Sequence, residues 1–355
     1  MVSAFAHFPH SLFPPSSSLL FVLPPPSPPP PPLPLPPSQY PLFLKNLTTI
    51  IQNDIHFFTP RHLSNILHAL AKLREPLPSI FREVESNCDW IVEEGNARDV
   101  ANVAWSCGTL RIPSPSLFAC INSRSDWLVS NGDPQSVANT AWAFAVLSAP
   151  AGDLFAAIDG DAERLVKAGD PQAVANTAWA AATLNVPLPN YFSLVEGRSD
   201  WLVTSSTPQA IANTVWSFAK SGSPGPGLFR AVETRATWFV KNGTSQAIAN
   251  VAWSFATASH AAPGFFREVN NEAGRIVEGG DVRNLTKLAW ACDEVEAKCP
   301  GLFRQIEGNA KRLVAEGEGE DLKELAAVCG KVEGRCGGFR RRVEGMERGE
   351  EGGKE

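Results

Sequence analysis

The chain is short of charge. Only 19% of its 355 residues are Asp, Glu, Lys or Arg, and the formal net charge is −6. A nucleic-acid binder usually carries a basic footprint, so phosphate binding here needs bases gathered on one face. Cysteine is sparse as well: there are seven, an odd number, and no C-x-x-C. A disulfide framework needs paired cysteines in a short secreted chain, so this pattern reads as a reducing compartment. Cys292 and Cys299 recur one period later as Cys329 and Cys336. Without histidines at ligand spacing they read as small buried residues, and no metal or cofactor is expected. No proline-free run of 18 apolar residues occurs, which excludes a helical membrane span.

Catalytic signatures are missing too. There is no phosphate loop, nucleophile elbow or metal motif. None of the histidines His7, His10, His56, His62, His68 and His260 stands with a partner. The chain reads as a non-enzyme.

The first 44 residues hold no charged side chain, and Pro24 to Pro37 is mostly proline. Proline has no amide donor and a fixed φ, so residues 1–45 read as polyproline II or disorder, serving as a linker or a targeting segment. Their lack of acids suits organelle import, whereas their lack of arginine does not. Val2 to Pro9 resembles the Ala-Phe-Ala-Pro cleavage motif of complex-plastid targeting. Residues 46–58 read as a lead-in helix.

What is present is a repeat. DPQSVANTAWA begins at Asp133, DPQAVANTAWA at Asp170, TPQAIANTVWS at Thr207 and TSQAIANVAWS at Thr244, always 37 residues apart. Earlier copies start at Asn96 and Thr59, and a later one at Asp281. This gives seven units (59–95, 96–132, 133–169, 170–206, 207–243, 244–280, 281–317), a worn capping unit at 318–344 and a charged, disordered tail at 345–355. Each unit reads as a helical hairpin. Position 1 (Asp, Thr or Asn) caps the first helix and Pro at position 2 suits its start. Proline near position 18 ends it. The second helix starts near position 20 and ends on Gly95, Gly132, Gly169, Gly243, Gly280 or Gly317, each free to take the left-handed cap. Apolar residues keep helical spacing in both. The expected fold is all-α, a superhelical solenoid of about eight stacked hairpins. With helices about 8–10 Å apart it is on the order of 80 Å long.

Three columns bear on function. Trp105, Trp142, Trp179, Trp216, Trp253 and Trp290 stand at position 10. They would stack on bases if exposed, but they share the apolar stripe and read as core. Position 32 alternates Trp90, Trp127, Trp201 and Trp238 with Arg164, Arg275 and Arg312, as at a half-exposed site where a flat surface is useful. Position 7 holds Asn65, Asn102, Asn139, Asn176, Asn213 and Asn250. An identical residue in each unit cannot discriminate bases, so an inter-repeat hydrogen-bond ladder is favoured over RNA contact. The variable positions 3 and 4 are then the expected RNA contacts: Arg61, His62, Arg98, Gln135, Ser136, Gln172, Gln209, Gln246, Arg283 and Asn284. The amides of the helix start would add phosphate affinity.

The string P-Q-x-[VI]-A-N-[TV]-[AV]-W-[AS] resembles the octotricopeptide repeat over Thr59 to about Gly317. That resemblance implies an organelle RNA-binding factor, related to FAST-kinase-like proteins, with the first helices lining single-stranded RNA. The implied role is RNA processing, transcript stability or translation in the mitochondrial matrix or plastid stroma. The period of 37 and the likeness of the units depart from the family pattern, and its C-terminal RAP domain is not visible. No DNA is expected as a partner. The alternative is a scaffold that binds other proteins.

Overall fold

A computed structural model describes residues 40–331 and 336–347. They form 24 α-helices and one 3-10 turn, with no strand among the described residues. The all-α repeat architecture is as expected. The lead-in helix is longer than the sequence implies, Tyr40–Asp54, followed by the turn Ile55–Phe57. Most of the proline-rich segment lies outside the described residues. At the other end, the helix Gly337–Glu347 runs into the stretch expected to be a disordered tail. The rest of that tail also lies outside the described residues.

Each unit contains three helices rather than two. In unit 133–169 they are Pro134–Leu147, Gly152–Gly160 and Ala162–Ala168. The expected second helix breaks at position 29, where one residue leaves helical geometry: Arg124 (φ −111, ψ 25), Asp161 (−108, 22), Arg198 (−118, 21). The apolar rhythm hides the break. Leu154, Phe155, Ile158, Ala162, Leu165 and Val166 stay in helical phase across it, and all are buried.

Position 1 caps the first helix in all seven units, from Thr59 to Asp281. Asp133 and Asp170, for instance, accept the amides of Ser136 and Ala173 at 2.7 Å. The helix ends in a left-handed residue at position 16: Arg74, Arg111, Ser148, Asn185, Gly222, Ser259 and Glu296. The next amide then bonds back to position 12, as Ala149 does to the Phe144 carbonyl at 2.9 Å, which closes a Schellman motif. The left-handed cap therefore stands at the end of the first helix, mostly without glycine.

The terminal glycines at position 37 are instead extended, for example Gly132 (φ −82) and Gly169 (φ −72). They are required for space, because a Cβ on Gly169 would lie 2.5 Å from the Leu165 carbonyl oxygen. Ser206, the exception, is buried with its hydroxyl unpartnered.

The first helices pack side by side through small residues. A Cβ on Gly108 would stand 3.0 Å from the Trp142 ring and 3.1 Å from the Ala143 Cα. Within a unit, positions 12 and 19 trade volume. The pairs are Phe144 with Ala151, Phe218 with Gly225, Ala181 with Leu188, and Cys292 with Cys299, whose sulfurs lie 3.0 Å apart. A Cβ on Gly225 would lie 2.6 Å from Phe218. Close packing makes such a pair sensitive to a single methylene.

Polar clamps join the second and third helices of consecutive units. The second helices have no side-chain cap from their own unit. Position 27 of the preceding unit supplies it. Glu85 accepts the amides of Ser116 and Leu117 at 2.6 and 3.2 Å, and Glu196 those of Gly227 and Leu228 at 2.5 and 3.1 Å. Asn122, Asp159, Glu233, Asn270 and Glu307 do likewise.

The Trp/Arg alternation at position 32 belongs to a second clamp. Arg124, Arg198 and Arg235 at position 29 donate to the carbonyls of Val92, Val166 and Val203, which end the third helix of the preceding unit. Each guanidinium lies over the tryptophan of its own unit, Arg198 at 3.7 Å from the Trp201 ring. Where position 32 is arginine, it makes the same bond: Arg164 to Val129, Arg275 to Val240, Arg312 to Val277. Position 29 is then Asp161, Glu272 or Asn309, and Asp161 pairs with Arg164 at 2.7 Å. One guanidinium thus reaches the same helix end from either of two positions, where a cation is favoured.

Candidate ligand-binding face

Only one line of each first helix meets solvent in the interior of the array. It comprises positions 3, 7, 10 and 14, which share a face at helical spacing. The other positions from 4 to 13 are buried in units 96–280, apart from the half-buried Ala219.

Position 10 is the buried floor of this line. Trp142, Trp179, Trp216 and Trp290 are 5–8% exposed, while Trp105 and Trp253 are half-buried. In the first unit His68 replaces tryptophan and lies 4.8 Å from the Trp105 ring. Burial, and then Lys72, lower the His68 pKa.

The asparagines bond along the helix. Gln172 donates to the Asn176 side-chain oxygen and Gln209 to that of Asn213, both at 2.9 Å. In these two units the expected inter-repeat ladder is replaced by a pair one turn apart in the same helix. Asn65 is exposed, and Asn102, Asn139 and Asn176 are half-buried. Asn213 and Asn250 are buried, and the Asn250 Nδ2 has no partner.

The expected contacts at positions 3 and 4 divide. Gln135 and Arg61 are exposed, and Gln172, Gln209 and Gln246 are half-buried along the same line. Arg98 pairs with Asp133 at 3.2 Å, and Arg283 with Asp321 at 2.6 Å and Glu318 at 3.2 Å. These two arginines link neighbouring units. Position 4 turns inward instead. Ser136 is 5% exposed, as befits the third residue of the helix, and its amide already serves the Asp133 cap. His62 is exposed, but its ring accepts the Thr59 amide in a capping box, and the Asn284 amide serves Asp281. The amides expected to favour phosphate are therefore partly committed to caps.

No family model matches the chain, and no curated protein matches it. The face has to be read from its own chemistry.

Position 14 is the column the sequence reading missed. It adds Lys72 and Lys220, both exposed. Across the first seven units the four columns carry Arg61, Lys72, Arg98, Lys220, Arg283 and Lys287 against Glu294 alone. The chain as a whole is net acidic, so bases are concentrated on this line. Lys287 takes the asparagine position of its unit. Burial, opposed by Asp281 and aided by Arg283, lowers its pKa to about 8. Elsewhere in the position 14 column Thr109, Thr183 and Thr257 are half-buried, with their hydroxyl oxygens buried.

Among the described residues no helix is long and apolar enough to cross a membrane.

Proposed function

We propose that this face binds single-stranded RNA, in RNA processing, transcript stability or translation within a mitochondrion or plastid. The observation that carries the reading is the line of amides and bases along the first helices of an acidic chain. Gln and Asn side chains offer donors and acceptors to base edges. Lys72, Lys220 and Arg61 offer cations to phosphate. The half-exposed edges of Trp105 and Trp253 offer stacking surface. The near-identity of the units favours general grip on a strand over a base-by-base code.

A mobility titration of the full chain with single-stranded RNA at low and moderate salt tests this. A shift at micromolar protein that weakens with salt is expected, and no shift at low salt overturns the reading. The second reading, a scaffold for other proteins, rests on the net charge of −6 and on the neutralisation of Arg98 and Arg283 by acids. A fluorescent fusion in the source cell tests the organelle assignment.

A further inference from the structure

Six of the seven cysteines fall into three contacting pairs. Two pairs, Cys292 with Cys299 and Cys329 with Cys336, fill positions 12 and 19 and are buried. The third is different in kind. Cys88 begins the third helix of the first unit, and Cys120 lies on the second helix of the next. Their sulfurs are 3.0 Å apart, and the Asp89 carboxylate lies 3.1 Å from the Cys120 sulfur. The three ligand atoms lie within 4.8 Å of one another. Cys88 is buried, Cys120 half-buried and Asp89 exposed, so the cluster opens to solvent on the carboxylate side.

The same two columns meet at the following joints without sulfur. Ser125 stands opposite Ala157, Ala162 opposite Leu194, Ser199 opposite Ala231 and Ala236 opposite Glu268. Acids follow at Asp126, Glu163 and Asp200, again without thiols. The place of Cys88 is taken at these joints by serine or alanine and that of Cys120 by alanine, leucine or glutamate, so packing at the joint does not call for a pair of thiols.

We propose that Cys88, Asp89 and Cys120 form a site for a thiophilic divalent cation, zinc by chemistry, that ties the first unit to the second. Two thiolates and a carboxylate supply three ligands and water on the open side the fourth. Sulfurs at about 2.3 Å from a tetrahedral zinc stand roughly 3.8 Å apart, an opening of about 0.8 Å. Binding releases the two thiol protons to solvent and leaves the carboxylate as it is. Without a cation, burial, then the neighbouring Cys88 thiol and the Asp89 carboxylate, push the Cys120 thiol up. A divalent charge reverses that balance.

The test uses the full chain, reduced and stripped of metal, titrated with cobalt(II) and then zinc. A near-ultraviolet sulfur-to-cobalt charge-transfer band that saturates at one equivalent and is displaced by zinc is expected. Cys120→Ser abolishes the band, whereas Cys292→Ser leaves it intact. Zinc raises the melting temperature of the parent chain and not that of Cys120→Ser. No band, an unchanged band in Cys120→Ser, or a loss of two hydrogen masses at Cys88 and Cys120 under the binding conditions each overturns the proposal.

Discussion

The two layers of the array are held together by different means. First helices meet through alanine, glycine and aromatic edges. Second and third helices meet through polar clamps, mostly charged, that recur from joint to joint. Position 27 caps the next unit's second helix, and a guanidinium from position 29 or 32 covers the end of the preceding third helix. The contrast shows where polar groups are in use. In the outer pair of helices they are consumed by the fold. Along the first helices Gln135, Lys72 and Lys220 are exposed, whereas Gln172 and Gln209 bond to Asn176 and Asn213 one turn on.

The largest effect should come from the packing that couples the layers. Phe218→Ala should cost about 3–5 kcal/mol in chemical denaturation. Filling the gap from the other side, with Phe218→Ala plus Gly225→Leu, copies the Ala181 and Leu188 arrangement and should restore a large part of it. A double variant no better than the single one would show that positions 12 and 19 do not share one space.

Next comes a charge buried on a first helix. Burial lowers the Lys287 pKa to about 8 in the fold, against 10.5 for a solvated lysine. Below pH 8 it is charged in both states, and the fold bears the cost of burying it. Between 8 and 10.5 the folded chain releases the proton before the unfolded chain does, so stability rises with pH through that window. Lys287→Asn, the residue of the other units, should stabilise the chain at pH 7 by on the order of 2 kcal/mol and flatten that rise. Melting curves from pH 7 to 10.5 check both.

The clamps follow. Glu196→Ala removes two amide contacts and should cost about 1–2 kcal/mol, with Glu196→Gln costing less. Arg235→Asp alone should cost about 1 kcal/mol. Adding Trp238→Arg recreates the Asp161 and Arg164 pairing and should recover most of it. Independent effects in that cycle would contradict the two-position guanidinium. The smallest effect is at the left-handed cap: Ser148→Gly should stabilise by up to about 1 kcal/mol, since serine bears a steric cost at φ 53.

The repeat, its period, the caps at position 1 and the burial of most of the tryptophan column were legible because each is a local pattern. The break at position 29 was not, since Ile158, Ala162 and Leu165 keep helical phase across a single non-helical residue. The role of terminal glycine was read as conformation, whereas Gly169 answers to the closeness of Leu165 and Pro134. The position 27 clamp was visible as a column of Glu, Asn and Asp from Glu85 to Glu307, yet its partners lie 31 or 32 residues away, beyond any helical spacing. Of the expected contacts, those at position 3 lie on the partly exposed line, whereas at position 4 Ser136 is buried and His62 is exposed. Variability was taken as exposure, although His62, Asp99 and Ser136 vary because several side chains suit the third residue of a helix.

The division of labour between the layers is tested most directly by measuring RNA affinity and melting temperature together on two variants. One carries Gln135→Ala, Gln172→Ala, Gln209→Ala and Lys220→Ala on the first helices, and the other carries Glu196→Gln on the clamp. The account predicts that the first binds single-stranded RNA at least about tenfold more weakly, a loss of about 1.4 kcal/mol, with a near-parental melting temperature. The second should melt lower and bind RNA as the parent does. Equal RNA affinity in the first variant and the parent would contradict it.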